Sequence, residues 1–534
     1  MNVRDRFVAV LPWGAAVLSG LLLFAAFPPL GWQDAAWIAL IPLVLGVRGV
    51  SLRRAAMLGF LAGAAFWIPS IAWLRYVTRP GWIGLALYCS FYMIPFAWVA
   101  AYGMKRWGSG GSFTNIGQML LGVAVWIGFE YLRSILFTGF PWNQLGVSQY
   151  RNIPIIQVAR WGGVYAVSAL VVWINMAIAL TLLRYVETRD RWSRRAHPEL
   201  MLGFLAVVVA VVQGWRSVRM EHVPTESLRV AIVQPLIPIA WYYMPEQHDV
   251  IRERLEHFST TALRAGTPDL LIWPETAIPD ELRTSQASYD MVAALASRGV
   301  PILTGSIDTE WTDEGPRYFN SSFLVDTNGI VVKGYDKRHL VMFGEYVPLQ
   351  AIMPWLRAIT PITESFTPGS SSSVFRLERP DVSFSVLICF EDTVSSLARE
   401  SVRNGARLLV NQTDDGWFDA HVEPLQHMMH CVFRCVENGV PAVRAANTGV
   451  SCAIDRRGRV YDVLDDGFGD TFIAGFRFTS VEVPGQDMPL TFYTRHGDLF
   501  ARLCALTAMA FLICMGIERK RAGRTFFRPE AMKR

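Results

Sequence analysis

Long apolar runs separated by short polar breaks fill the sequence from about residue 8 to residue 216. A helix that crosses the hydrocarbon core of a bilayer needs ~20 predominantly apolar residues. Runs of about this length lie at 8–27, 34–50, 55–75, 81–103, 117–138, 162–184 and 199–216, and one more lies at 498–517. The pattern therefore predicts seven membrane-spanning helices, a long segment of different character, and an eighth helix.

The segment from Leu228 onward has a different pattern. Short runs rich in β-branched residues, such as LRVAIVQ, DLLIW and FSVLIC, alternate with polar, helix-like stretches at 246–265, 286–298, 392–404 and 423–438. Strands that are apolar throughout and alternate with helices are typical of an α/β sheet that is covered on both faces. We therefore expect three parts: a seven-helix membrane domain at 1–219, an α/β domain at 220–490, and a final helix with a basic tail at 491–534.

The composition agrees with a membrane protein. Hydrophobic residues make up 52% of the 534 residues and charged residues 18%, whereas an average soluble domain carries roughly 25% charge. These values exclude an intrinsically disordered chain, a collagen-like fibre and a coiled coil. The seven cysteines lack paired spacing, so they indicate neither a disulfide framework nor a zinc ribbon.

The net charge of +5 is explained by its distribution along the chain. If the N-terminus is cytoplasmic, nineteen Lys and Arg residues in the short loops and the tail face the cytoplasm and five face the other side. Because cytoplasmic loops carry the excess of Lys and Arg, we expect both termini in the cytoplasm and the segment 220–490 outside it. The positive charge then follows from topology, and nucleic-acid binding is not expected.

Three reactive side chains stand where predicted strands end. Glu275 follows DLLIWP, Lys337 follows GIVVKGYD, and Cys389 ends FSVLI. Functional groups in such sheets collect beyond the carboxyl ends of the strands. A carboxylate that takes a thiol proton, a thiolate that attacks a carbonyl and an ammonium that offsets the oxyanion are the parts needed for acyl transfer. Each residue alone is more often structural, but together the three predict an acyl-transfer site.

The motifs around these residues resemble a known superfamily. WPETAIP, YDKRHLVMFGEYVP and LICFED are similar to the Glu, Lys and Cys elements of the nitrilase superfamily. FEYLRSILFTGFPWNQLG at 129–146, the FPPLGW turn and NTGVSCAID at 447–455 resemble its membrane-bound branch, the apolipoprotein N-acyltransferases. The resemblance implies a nitrilase-like αββα sandwich domain that is inserted between the seventh and eighth membrane helices.

The resemblance also implies roles for individual residues. Glu275 would be the general base, Lys337 the cation that stabilises the oxyanion, and Cys389 the nucleophile that accepts the acyl chain. The supporting residues would be Glu345, Glu391 and, in a loop over the site, Trp241. The chain departs from the family pattern in having Phe390 where Tyr is frequent, Asp414 where Asn is common, and no Asn in QPLIPIAW.

The implied reaction has two steps and no cofactor. Cys389 takes a fatty acyl chain from a phospholipid and passes it, through a thioester, to the α-amino group of a diacylated lipoprotein. The enzyme would act as a monomer in the bacterial cytoplasmic membrane, with its catalytic domain in the periplasm. We expect apolar lids to exclude water from the thioester, carried by Trp241, Tyr242, Tyr243 and Met244 and by residues 353–356.

Several alternatives stay open at this point. Glu130 and Arg133, three residues apart on the fifth predicted helix, are either functional or a pair that fixes helix packing. His421, His427 and His430, with Cys431 and Cys435, could form a metal cluster, but we expect no metal and expect the two cysteines to pack. The main alternative function is a membrane-tethered amidase or other hydrolase of the nitrilase class. A transporter or scaffold would leave the three reactive residues unexplained.

Overall fold

The computed structural model describes residues 3–108, 111–187, 197–220, 225–348, 365–418 and 422–525. Its first part and its last segment are helical. The helices of the first part are α1 Val3–Ala25, α2 Ile41–Gly46, α3 Leu52–Ser70, α4 Arg79–Phe91, α5 Ile94–Trp107, α6 Ser112–Ile135, α7 Ile153–Ile156, α8 Ala159–Gly162, α9 Val164–Glu187 and α10 Pro198–Met220. Within the described residues, five segments are helical, long and apolar enough to cross a membrane: Arg79–Trp107, Ser112–Thr138, Val164–Val186, Pro198–Arg219 and Leu499–Lys520.

The apolar run at 34–50 does not form the single helix that we expected. It is a 3-10 turn, Gln33–Trp37, followed by the short helix α2. A side chain from another helix pairs with the free backbone groups at this break. The buried Asn175 in α9 accepts a hydrogen bond from Leu40 N at 2.8 Å and donates one to Ala36 O at 2.9 Å. Irregular backbone is tolerated inside a bundle only where protein groups satisfy it in this way.

The last helix packs closely against the bundle. A Cβ added to Gly128 of α6 would lie 2.8 Å from the Cα of Ala505, which belongs to the final helix α17, Leu499–Thr525. Only a residue without a side chain allows two helix backbones to come this near. The chain therefore returns to its own bundle after the α/β domain.

The α/β domain contains two six-stranded sheets. One has the order β12-β1-β2-β3-β4-β5 and the other β11-β10-β9-β8-β7-β6. The strands are β1 Thr225–Gln234, β2 Leu270–Ile272, β3 Ile302–Thr312, β4 Gly315–Val325, β5 Val331–Asp336, β6 Phe375–Glu378, β7 Asp381–Ile388, β8 Leu408–Thr413, β9 Ala442–Ala446, β10 Cys452–Ile454, β11 Val460–Tyr461 and β12 Gly475–Pro484. Within them, β1, β2 and β3 run parallel, as do β7, β8 and β9.

Helices cover both outer faces of the paired sheets. The helices are α11 Ile239–Tyr242, α12 His248–Ala265, α13 Gln286–Ala296, α14 Ser395–Arg403, α15 Val422–Asn438 and α16 Phe492–His496. One apolar core lies between the sheets, where Val230 and Ile272 meet Phe384 and Val410. The expected αββα sandwich, inserted before the last helix, is confirmed.

Helix α15 lies between the second sheet and the membrane bundle. Its apolar residues belong to one continuous core with those of the membrane helices. The Gln426 side chain accepts hydrogen bonds from the indoles of Trp73 at 3.1 Å and Trp142 at 2.8 Å, and donates to Pro28 O and Ser70 O at 3.0 Å. One buried amide thus joins the α/β domain to three separate segments of the membrane domain.

Candidate active site

The ends of three strands bring Glu275, Lys337 and Cys389 to one edge of the paired sheets. Glu275 lies three residues after β2, Lys337 directly follows β5, and Cys389 directly follows β7. Lys337 Nζ donates to Glu275 Oε1 at 3.2 Å, and the ammonium is only 1% exposed. Both charges lie close enough to Cys389 to shift its pKa. The structure therefore brings the three predicted residues together.

The backbone at Cys389 is held in an unusual conformation. Its φ angle is 51°, in the left-handed region that residues with a Cβ seldom occupy. The Cys389 carbonyl accepts a hydrogen bond from Asn411 Nδ2 at 3.1 Å and lies 3.1 Å from His427 Nε2. Such strained positions persist only where the surroundings fix them, so the thiol is presented from a rigid turn.

The Cys389 thiol is neutral at rest. Burial raises its pKa well above the ordinary value, the charge of Glu275 adds to this effect, and Lys337 opposes it. A neutral thiol is a poor nucleophile, so attack requires that a base remove the proton. Glu275 is the nearby carboxylate that can do so.

Lys337 is held between two carboxylates. Its Nζ donates to Glu345 Oε1 at 2.7 Å as well as to Glu275. Burial alone would lower the pKa of Lys337, but the two carboxylates outweigh it and hold that pKa well above the ordinary value. Glu345 is fixed in turn by Val341 N at 2.8 Å. Lys337 is thus a permanent cation at a fixed point.

The Glu275 carboxylate is oriented through both oxygens. Its Oε1 accepts from Asn320 Nδ2 at 2.8 Å and its Oε2 from Asp414 N at 2.9 Å. Asn320 also reaches Glu345 Oε1 at 3.3 Å. Asn320 lies within β4, where the strand pattern gave no signal of a role, and our reading of the sequence missed it.

Asp414 is buried beside Glu275 with its own carboxylate occupied. Its Oδ1 accepts from Asn447 Nδ2 at 3.1 Å and from Gly416 N at 3.0 Å. Burial raises the pKa of Asp414 to about 7, although these hydrogen bonds oppose it. The departure from Asn therefore puts a second acid next to the base.

Glu391 joins two chain segments. It accepts hydrogen bonds from Tyr335 Oη at 2.9 Å, Arg338 N at 2.7 Å, His339 N at 3.0 Å and Ile388 N at 2.8 Å. These donors lie on the segment around Lys337 and on the strand that ends at Cys389. Glu391 thus fixes the distance between the cation and the nucleophile.

Phe390 faces the membrane domain. Its ring stacks on Trp142 at 6.1 Å with an interplanar angle of 1°, and on His339 at 5.9 Å. Phe140 stacks on it at 6.3 Å. The residue beside the nucleophile therefore contacts the GFPWN loop through apolar rings, with no hydroxyl involved.

Glu130 and Arg133 hold that same loop. Glu130 Oε1 accepts from Leu145 N at 2.7 Å, and Arg133 Nη1 donates to Trp142 O at 2.8 Å and also to Phe140 O. Within the described ranges these two side chains form no ion pair with each other. They shape the loop that supports Phe390.

Trp241 lies in the short helix α11 and packs against the outer core of the first sheet. The hydroxyl of its neighbour Tyr242 is buried and, among the described residues, has no hydrogen-bond partner. Burial, together with the charges of Asp414 and Glu275, raises the pKa of Tyr242 well above the ordinary value. The residues 353–356 of the second expected lid lie outside the described part of the chain.

A charged network lies beside the Cys389 backbone, and the sequence indicated only its His427, as a possible metal ligand. His427 lies 2.8 Å from Asp392 and 3.3 Å from Asp415, and Arg444 lies 2.8 Å from Asp415. Burial and Arg444 oppose protonation of His427, but the two aspartates outweigh them and raise its pKa to about 10. The residues of the network lie in β9, in α15 and in the turns after β7 and β8, and no single motif contains them.

Metal-ligand atoms of Asp415, Glu423 and His427 lie within 4.8 Å of one another. The Arg444 guanidinium, 3.0 Å from His427 Nδ1, and the protonated imidazole both place positive charge at this cluster. His430 Nε2 instead accepts from Asn143 N at 3.3 Å. His421, the third histidine of the cluster considered above, lies outside the described residues.

Comparisons with known proteins match both parts of the chain. The profile for the apolipoprotein N-acyltransferase N-terminal domain matches residues 19–177, and the profile for carbon-nitrogen hydrolases matches residues 229–482. An apolipoprotein N-acyltransferase of Geobacter metallireducens is 34% identical over 95% of each chain. One of Gloeobacter violaceus is 28% identical over 96% of each chain. The solved structure of Saccharomyces cerevisiae Nit3, of the nitrilase superfamily, covers 49% of this chain and 91% of its own at 17% identity, with a TM-score of 0.36.

Proposed function

The chain belongs to the apolipoprotein N-acyltransferase family, and from this premise we propose that Cys389 carries the acyl group between two lipid substrates. The protein is a membrane-associated acyltransferase that acts in lipoprotein N-acylation. The observation that carries the proposal is the position of Lys337, buried between Glu275 and Glu345 at the edge where the Cys389 thiol lies. A nucleophile, a base and a fixed cation are together what acyl transfer requires.

In the first half-reaction the acyl donor is a phospholipid. Glu275 takes the thiol proton, and the Cys389 sulfur attacks the ester carbonyl of the lipid. The resulting oxyanion is stabilised by the Lys337 ammonium. When the tetrahedral intermediate collapses, the C–O ester bond breaks, the lysophospholipid alkoxide takes the proton from Glu275, and the acyl group remains on sulfur as a thioester.

In the second half-reaction the acceptor is the α-amino group of a diacylated lipoprotein. The amine attacks the thioester carbonyl, and Glu275 takes a proton from the nitrogen as the C–N bond forms. The C–S bond then breaks, and the Cys389 thiolate recovers the proton. The product is an amide, and the energy of the original ester bond drives the transfer without a nucleotide.

The site lies where the catalytic and membrane domains meet. Phe390, next to the nucleophile, stacks on Trp142 of the loop that follows α6. This neighbourhood supports the entry of lipid substrates from the bilayer rather than from water. We further propose that the protein is a monomer of the bacterial inner membrane, with cytoplasmic termini and a periplasmic catalytic domain.

Intact-protein mass spectrometry after incubation with phospholipid vesicles tests the proposal. We expect a mass increase of one fatty acyl group on the wild type, removed by hydroxylamine and missing in Cys389→Ala. Cys431→Ala, which changes a buried cysteine of α15, is the matched control and should still be acylated. An unmodified wild type that releases ammonia from soluble amides would instead support the hydrolase alternative.

A further inference from the structure

The NTGVS segment, Asn447 to Ser451, lies in the turn between β9 and β10, and the acyl-transfer chemistry above does not use it. Asn447 is completely buried. Its Oδ1 accepts from Ile237 N at 2.9 Å, and its Nδ2 donates to Ile237 O at 2.8 Å and to Asp414 Oδ1 at 3.1 Å. Both amide hydrogens are therefore used, and the side chain joins two distant segments.

The first segment that Asn447 holds leads into α11. Leu236 N donates to the Asn447 carbonyl at 2.9 Å, and Leu236 has a φ of 53°. This left-handed conformation is unfavourable for a residue with a Cβ. The chain then turns into the short helix that carries Trp241 and Tyr242. Three hydrogen bonds thus hold the entry to this helix, two from the Asn447 side chain and one from its backbone carbonyl.

The second segment is the turn that holds the catalytic glutamate. Asp414, the partner of Asn447, donates its N–H to Glu275 Oε2 at 2.9 Å. The two segments also lie close together, because a Cβ added to Gly416 would lie 3.5 Å from Ile239 Cδ1. Asn447 therefore stands between the residues that carry Trp241 and the residues that orient the base.

We propose that Asn447 is a positioning residue that holds the Trp241–Tyr242 segment beside Glu275 and so keeps water from the acyl-enzyme. The inference rests on the proposed function, since it concerns the fate of the Cys389 thioester. Two nucleophiles compete for that carbonyl. An amine gives the amide product and free thiol, whereas water gives a fatty acid and free thiol. A segment that moves away from Glu275 admits water to the site and favours the second outcome.

The test measures how the thioester partitions in the full-length enzyme. Wild type and Asn447→Ala, purified in detergent, are given phospholipid and a diacylated lipopeptide, and free fatty acid and acylated peptide are quantified. We expect Asn447→Ala to raise the ratio of fatty acid to acylated peptide about fivefold to tenfold, the factor by which the net free energy of about one hydrogen bond changes an equilibrium. Hydrogen–deuterium exchange should increase in peptides that cover 236–244.

Two further variants keep the test decisive. Asp414→Ala removes the acceptor of the hydrogen bond from Asn447 Nδ2, leaves the hydrogen bonds to Ile237 in place, and should raise the ratio. Asp414→Asn keeps the Oδ1 acceptor, so its ratio should lie closer to that of the wild type. Asn328→Ala, in the exposed turn between β4 and β5, is the control. An acylated wild type with an unchanged ratio in Asn447→Ala overturns the inference. A wild type that forms no thioester overturns the proposed function instead. In that case, unchanged hydrogen–deuterium exchange at 236–244 in Asn447→Ala would still contradict the positioning role of Asn447.

Discussion

At the scale of single residues, the site depends on charges that are buried and individually oriented. The thiol of Cys389 is kept neutral by burial, and the ammonium of Lys337 is kept charged by two carboxylates. In a water-poor environment such a fixed cation acts strongly on a developing oxyanion. The site therefore needs no movement of charge into place when the substrate arrives.

Replacing Lys337 by Met should slow acyl-enzyme formation by roughly 10²–10³-fold. The variant keeps the volume of the side chain but removes the cation, and it leaves the Glu275 and Glu345 carboxylates facing each other without compensation. Loss of one oxyanion-stabilising group slows such reactions by roughly 10²–10³-fold. Mass spectrometry of samples quenched at successive times gives the rate of thioester formation. Lys333→Met on the exposed part of β5 is the control, and a rate in Lys337→Met equal to that of the control would contradict this role.

The raised pKa of Asp414 predicts that the stability of the protein depends on pH. Its folded pKa of about 7 lies above its ordinary value of 3.8. The folded state therefore binds the proton more tightly, and the stabilisation is fully present below the unfolded pKa and is lost as the pH rises through 7. Since Asp414→Asn does not titrate, the free energy of unfolding of the wild type minus that of the variant should fall between about pH 4 and pH 7.

Denaturant unfolding of both proteins across this pH range provides the measurement. Subtracting the variant removes the contribution of the other titrating groups. A difference that stays constant or rises with pH would show that Asp414 is not protonated in the folded protein.

Part of the site could be predicted from the sequence because strand ends are visible in it. Glu275, Lys337 and Cys389 follow apolar runs, and parallel strands deliver their carboxyl ends to one edge. Asn320 gave no such signal, since it lies within β4 among other polar residues. Packing of α15 and β9 against the turn after β7 brings together three residues that are distant in sequence: Asp392, His427 and Arg444. Their spacing along the chain does not predict this contact.

At the scale of elements, the membrane helices were predictable by length and apolarity, but their breaks were not. The run at 34–50 is interrupted because Asn175, far away in the sequence, satisfies the backbone of the break. Similarly, α4 and α5 are separated at Tyr92 and Met93, ahead of Pro95 near the start of α5. A hydropathy pattern reflects only the apolar residues of a segment. It does not indicate which distant side chain forms hydrogen bonds with the backbone of that segment.

The loop after α6 predicts a role for Arg133. Arg133→Met removes the donors to Phe140 O and Trp142 O and the contact of the guanidinium with the Trp67 ring at 4.6 Å. The loop should then shift under Phe390, and we expect thioester formation to slow by about tenfold, which corresponds to about 1.4 kcal/mol in the barrier. Arg75→Met, an exposed arginine of the same domain, serves as control. Equal rates in the two variants would exclude a role for the loop.

The connection made by α15 predicts a loss of stability. Gln426→Leu leaves two indole N–H groups and two carbonyls without their partner, and each unsatisfied buried group costs about 1–3 kcal/mol. The apparent Tm in detergent should fall by about 5 °C or more. Gln286→Leu, which removes an exposed hydrogen bond from the amide to Asp290, should change the Tm little. A similar Tm for both variants would mean that α15 is not held by Gln426.

At the scale of the whole molecule, the two domains share one core. Val432 and Val436 of α15 belong to the same apolar cluster as Ile156 and Val164 of the membrane part. Glu437 accepts from Val164 N at 2.9 Å, across the same boundary. The catalytic domain is therefore not a separable head on a membrane anchor.

The proposed orientation predicts the accessibility of introduced cysteines. Asn328→Cys, in an exposed turn of the catalytic domain, should react in intact cells with a maleimide that cannot cross the inner membrane. Arg53→Cys, at the start of α3, should react only after the membrane is permeabilised. The opposite pattern would reverse the topology, and labelling is read by gel shift against a Cys514→Ser background.

The near contact between Gly128 and Ala505 has a consequence for biogenesis. The face of α6 around Gly128 receives its partner helix only after the whole α/β domain has been synthesised. If synthesis stops before Ala505, the face of α6 around Gly128 is left without its partner helix. Completion of the polypeptide covers that face and closes the bundle.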